Sequence, residues 1–126
     1  MNRKLAKVST AHLEIQERGI LNFWIFVDYE GGGGQGIGGI AMDEWNEEKK
    51  SRVGTAYGCE MIRRLLLLFN VNDFSEMAGA HIWVYGEGDG FGFKPTGIAR
   101  LGFKDDGEPL IFADIANEFI DTENQA

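Results

Sequence analysis

The sequence predicts an α+β domain: a mostly antiparallel sheet with one central amphipathic helix and a C-terminal helix, assembled as an oligomer. Three observations predict it. Two stretches, Lys7 to Gln16 and Ile20 to Tyr29, read as strands, the first by its alternation and the second by apolar groups on both faces. The period changes to three and four in "GTAYGCEMIRRLLLLFN". The closing stretch "LIFADIANEFID" again spaces Ile111, Phe112, Ile115 and Phe119 as one face of a helix. With 126 residues, 44% of them hydrophobic, the chain reads as a single domain over 1–126 that can build a core without staples.

Each element has a local reason. From Lys7 to Gln16, Leu13 and Ile15 alternate with His12, Glu14 and Gln16, the pattern of a half-buried strand. Arg18-Gly19 reads as a turn. From Ile20 to Tyr29 both alternating faces are rich in apolar groups, as expected of a central strand covered on two sides, by its own domain or by another subunit. "QGIGGIAM", Gln35 to Met42, can pair back as a hairpin strand anchored by Ile37 and Ile40. The crowded charges of Asp43 to Arg52 suggest an exposed loop or a frayed turn. Cys59, Ile62, Leu66 and Phe69 then share one helical face, with Thr55 as N-cap. Leu65 to Phe69 is apolar nearly all round, more than a small core can cover, and points to subunit contact. "NVNDFSEMAG" reads as a loop and short turn capped by Asp73 or Ser75. "AHIWVYG" and "TGIARLGF" read as strands, and "KDDGEP" as a turn.

Composition excludes several function classes. The net charge of −8 disfavours a nucleic-acid polymer as partner, because Lys and Arg dominate that binding. A small phosphorylated ligand, held by a few arginines, stays open. The single cysteine, Cys59, allows no internal disulfide and suits a reducing cytoplasm, where a small buried side chain is its expected role. The basic start "MNRKLAKVST" lacks the apolar stretch of a signal peptide. No run approaches the roughly 20 apolar residues of a membrane span, so no membrane partner is expected. His12 and His81 lie far apart, and no nucleophile–base pair stands out; Asp28, at a turn, reads as a turn residue. Neither a catalytic residue, a metal nor a cofactor is expected.

Seven of the eleven residues from Tyr29 to Gly39 are glycine. A P-loop would need Lys and Ser/Thr where Gly39 and Ile40 stand, and a dinucleotide fingerprint would open a helix rather than a strand. What remains is either a flexible hairpin turn or a bare backbone wall against which a ligand lies. In the second case Gln35 and Gly36 belong to a binding site. Arg52, just ahead of the helix N-terminus, and Arg100, between glycine-bearing segments, are candidate phosphate ligands; a solvated arginine or a carboxylate partner is the commoner role for each. Phe91 and Phe93 of "GFGF", read as sharing a strand face, suit base stacking, though core positions are the more frequent case.

Taken together, "GILNFWIFVDYEGGGGQGIGG" and "RVGTAYGCEMIRRLLLLF" resemble the first type of phage Thoeris anti-defence protein, a family of sponges for cyclic ADP-ribose signals. The matching positions are Gly19 to Leu21, Gln35 to Gly39 and Gly54 to Gly58, within residues 8–70. The resemblance implies an antiparallel sheet with helices in a homodimer or hexamer, located in the cytoplasm of the bacterial host. It implies capture of glycocyclic ADP-ribose without cleavage, with Phe91 and Arg100 as pocket residues. It also implies a separate site for cyclic tri- or dinucleotides at Arg52 and Thr55. The family's Ile-Gly-Asn stretch reads "GIAR" here. An acidic inhibitor that binds a host defence protein directly is the alternative, motivated by the charge and by the acidic tail "NEFIDTENQA". A nucleotide-degrading enzyme would need catalytic groups that the sequence does not offer.

Overall fold

Strand alternation puts one face of the main sheet out of water, and the helices close over that face. The structure, a computed structural model, describes residues 1–102 and 105–124. Its strands are β1 (Asn2–Ile15), β2 (Leu21–Tyr29), β3 (Gly34–Ala41), β4 (Asp43–Asn46), β5 (Ser51–Gly54), β6 (His81–Glu87), β7 (Lys94–Arg100) and β8 (Leu110–Ile111). The helices are α1 (Ala56–Phe69) and α2 (Phe112–Asn124). A six-stranded sheet runs β3-β2-β1-β6-β7-β8 with every pair antiparallel, and β4 and β5 form a separate two-stranded hairpin. No helix among the described residues is long and apolar enough to cross a membrane.

The core lies on one face of the large sheet. Ala6, Val8, Phe23, Ile25, Val27, Ile37, Ile82, Val84 and Ile98 are buried there, joined by Met61 and Leu65 of α1 and by Phe112 and Ile115 of α2. Two irregularities keep this face continuous. The register shifts between Val8 and Thr10, so Val8 and Ala11 both face the core although three positions apart. A second shift opposite Phe23 and Trp24 does the same for Ile37 and Ile40, with Gly38 at φ 121° and Gly39 at φ 69° supplying the bend.

β2 is not covered on both faces by other elements. Its outward side chains Trp24 and Phe26 stack on each other, rings 5.7 Å apart and 18° from parallel, and lie over β3. A Cβ on Gly36 would stand 3.0 Å from Phe26 and 3.1 Å from Trp24, and one on Gly39 only 2.6 Å from the Trp24 ring. These glycines exist to receive aromatic rings, a cross-strand device for covering glycine in an edge strand.

Three other expectations are corrected. β1 begins at Asn2, five residues before Lys7, because Asn2 to Lys7 pair with β6, where the Arg3 guanidinium lies 3.9 Å from the Trp83 ring centroid. The polar segment after Met42 is the β4–β5 hairpin, not a loop; Lys50 takes the left-handed conformation at its tip (φ 51°). The buried face of α1 is Gly58, Met61 and Leu65, one position away from the expected Cys59, Ile62 and Leu66, which rotates it by about 100°. Cys59 is therefore exposed. The rotation follows from Gly58, whose missing side chain lets α1 lie directly against the Met42 carbonyl. Thr55 caps the helix as expected: its hydroxyl accepts from the Gly58 amide (2.9 Å) and donates to Met42 O (2.8 Å). In the C-terminal pattern Ile111 closes β8, and the buried residues of α2 begin at Phe112. The end of the expected "TGIARLGF" strand, the start of the "KDDGEP" turn and the last two residues of the tail lie outside the described residues.

The contact at Gly58 sets a test. Gly58→Ala should destabilise by at least about 1–3 kcal/mol through overpacking. Gly54→Ala, where a Cβ meets nothing within 4 Å, should stay within about 0.5 kcal/mol. Urea denaturation of the two variants reads the difference.

Candidate functional site

A cavity of about 840 Å³ opens where the start of β1, the β2–β3 turn and the β6–β7 connection converge. One wall is the glycine run. The Tyr29 amide donates to Gly33 O (2.9 Å) and the Gly32 amide to Tyr29 O (3.0 Å), closing a tight turn with Gly32 at φ 103° and Gly33 at φ 83°. Those angles are ones L side chains rarely adopt, so the turn requires glycine there. A Cβ at Gly31, Gly32 or Gly33 would meet nothing within 4 Å, so this stretch presents bare backbone to open space.

The opposite wall comes from the β6–β7 connection. Gly88 (φ 87°) and Gly90 (φ 54°) turn the chain, and a short 3₁₀ turn at Gly90–Gly92 lifts Phe91 clear of the surface. Phe91 is fully exposed while Phe93 is 3% exposed, so the two do not share a strand face. Phe93 instead meets the Tyr29 ring edge-on at 6.1 Å and 87°.

Gln35 ties the two walls together. Its Oε1 accepts from the Tyr29 hydroxyl (2.6 Å) and its Nε2 donates to the Phe93 carbonyl (3.1 Å). Burial pushes the Tyr29 phenol up to about 12, so it remains a neutral donor across the physiological range. The half-buried Lys4 completes the floor, its ammonium 4.6 Å from the Phe93 centroid and 5.1 Å from that of Tyr29. Trp83 of β6 also lines the space.

Among the residues singled out in the sequence, Gln35, Phe91 and Phe93 come together at this cavity. Gly36 is next in line but lies beneath Trp24 and Phe26 on the other face. Arg52 and Thr55 are elsewhere and engaged within the fold. The Arg52 guanidinium donates to Asp43 Oδ1 (2.7 Å) and to Asp43 O (3.1 Å), while Asp43 Oδ2 accepts from the Leu21 amide (3.1 Å). Asp43 thereby clamps the β4–β5 hairpin onto the start of β2. Arg100 borders a separate groove of about 440 Å³ with Arg64, Leu67 and Glu108. Sequence reasoning missed Lys4, Tyr29 and Trp83 as lining residues. Lys4 sits in a stretch read only for its charge, and no spacing signals that a lysine near the start will rest on a ring from position 93. Asp28, His12 and His81 are exposed, and the described residues contain no group of three His, Cys, Asp or Glu that could hold a metal.

No protein-family model, curated protein or solved structure matches the chain.

The Asp43 clamp carries a pH signature. The Arg52 guanidinium, with help from the Leu21 amide, holds the Asp43 carboxyl below its ordinary value of 3.8 against the opposing effect of burial. A carboxyl depressed in the folded chain contributes its full stabilisation above the unfolded value and loses it as pH falls through the folded one. Asp43→Asn should therefore lower the urea midpoint near pH 7, with the gap to the unsubstituted chain narrowing as the pH falls below 3.8. Unfolding curves above and below that value read the convergence.

Proposed function

We propose that this chain is an anti-defence sponge of the phage Thoeris type: it binds glycocyclic ADP-ribose in the 840 Å³ cavity and holds it without cleaving it. The observation that carries the reading is the convergence of the two glycine clusters on one cavity through Gln35. That cavity falls within the usual size of small-molecule sites, roughly 300–1,000 Å³. Its parts suit a nucleotide. Phe91 offers an open aromatic face for a base, the Gly31–Gly34 wall lets a sugar-phosphate ring approach the backbone, and Lys4 supplies a positive charge for phosphate.

The reading rests on this cavity alone. Arg52 and Thr55 are engaged with Asp43 and with the first turn of α1, which weakens the case for a second site there for cyclic tri- or dinucleotides. Arg100 does not border the cavity, so the adenine contact falls to Phe91 without it. A homodimer or hexamer in the bacterial cytoplasm remains part of the proposal. Leu67, 61% exposed on α1, is its natural contact point.

Capture and release tests the proposal. The protein is incubated with glycocyclic ADP-ribose and filtered, then heat-denatured, and both fractions are chromatographed. A sponge depletes the filtrate and returns the same ligand on heating; conversion to another species, or ligand left in the filtrate, contradicts it. Phe91→Ala should weaken capture by roughly 5- to 150-fold, the worth of one base stack. Because Phe91 is fully exposed, its loss should leave the unfolding midpoint unchanged.

A further inference from the structure

We propose that the free edge of β3 pairs antiparallel with the same edge of a second copy of this chain, about a two-fold axis beside Gly36. Two six-stranded sheets then become one. The inference is independent of the nucleotide-binding reading, and it uses a surface separate from Leu67 of α1.

β3 lies at one end of the large sheet and, among the described residues, pairs with β2 alone. The opposite end is β8, two residues that run straight into α2, so β3 is the long open edge. Two bonds show which of its backbone groups are left over. The Tyr29 amide donates to Gly33 O (2.9 Å), and the Met42 amide donates to Leu21 O (2.9 Å). Antiparallel pairs alternate between hydrogen-bonded and non-hydrogen-bonded. Gln35, Ile37 and Ile40, opposite Val27, Ile25 and Phe23, therefore bond to β2. Gly34, Gly36 and Ala41 aim their N–H and C=O groups outward. Such a row of donors and acceptors is a template for another strand.

Little blunts this edge. β3 contains no proline and no charged residue, although the chain carries −8 overall. Its register shift, near Gly38 and Gly39, lies beyond Gly36. Like charge opposes contact between identical copies over most of an acidic surface, so an uncharged strand is where they can meet.

The outer face of the sheet favours a second copy as the occupant. Trp24 and Phe26 stack over Gly36, where a Cβ would stand 3.0 Å from Phe26 and 3.1 Å from Trp24, so both rings reach the last strand. Phe26 is nevertheless 39% exposed. A two-fold axis between antiparallel copies of one strand is perpendicular to the sheet and keeps like faces on the same side. It joins the two Gly36 residues by reciprocal N–H···O bonds, their Cα atoms about 5.5 Å apart. The ring pair of each copy then lies beside that of the other, within the range at which aromatic rings pack. One self-complementary patch supplies both the missing backbone partners and an apolar cover for Phe26.

Light scattering and amide hydrogen exchange on the full chain test this. The unsubstituted chain should have twice the mass of one chain, or an even multiple of it. Phe26→Lys, which sets two like charges at the axis, should cut that mass at least by half. The Gly34 and Gly36 amides should exchange more slowly in the concentrated unsubstituted protein than in Phe26→Lys. The Gln35 and Ile37 amides, bonded to β2, should be equally protected in both, which shows that the variant keeps its fold. Should the variant lose that protection, dilution of the unsubstituted chain reads the same release at Gly34 and Gly36. A monomeric unsubstituted chain, an assembly whose Gly34 and Gly36 amides exchange as freely as unpaired backbone, or a folded Phe26→Lys of full mass would overturn the proposal.

Discussion

The side chain of Gln35 holds the candidate site together. A primary amide can accept and donate at once. Here it accepts from the Tyr29 hydroxyl on one side and donates to the Phe93 carbonyl on the other. The two bonds join the β2–β3 turn to the β6–β7 connection, segments that no strand pairing links directly. Their consequences spread outward. The Tyr29 and Phe93 rings are brought edge to face, Lys4 comes to rest against both, and the space beyond them is a cavity with two walls. Without the amide bridge, the glycine turn and the Phe91 turn lose this polar link and keep the Tyr29–Phe93 ring contact.

The glycine run itself has two physical roles. At Gly32 and Gly33 the requirement is conformational: the turn needs positive φ, and the space around it is empty. At Gly36 the requirement is packing, since the stacked rings of Trp24 and Phe26 occupy the volume a side chain would take, and at Gly39 a positive φ is joined by the Trp24 ring in that volume. A composition that suggests looseness therefore yields a strand held firmly under two aromatic rings, followed backward along the chain by an open backbone wall. The wall stays available to a ligand because the strand beside it is fixed.

Much of the fold was legible because period and capping are local signals. The alternation of β2, the Thr55 cap and the start of β3 could be read from neighbouring residues alone. The misreadings share a cause: each depended on a distant partner. β1 extends to Asn2 because β6 is there to pair with it. The face of α1 is chosen by Gly58 against Met42, and a hydrophobic pattern gives no weight to an absent side chain. The charged stretch after Met42 folds as a hairpin because Asp43 finds both Arg52 and the Leu21 amide. The site was half legible for the same reason. Gln35 and Phe91 stand out beside glycines, whereas Lys4 and Tyr29 become lining residues only when the start of β1, the end of β2 and the β6–β7 connection come together. Arg52 and Arg100 were attractive as phosphate ligands because their side chains suit phosphate, yet one is engaged by a carboxylate and the other lies on a different groove.

The central claim is a location, and amide chemical shifts during titration with glycocyclic ADP-ribose test it most directly. Binding in the cavity should move the amides of Gly31 to Gly34 and of Gly90 to Phe93, together with the Gln35 side-chain amide, and leave the surroundings of Arg52 and Arg100 still. Shifts centred on Arg52 and Thr55, or on Arg100, with the two glycine segments unmoved, would contradict it.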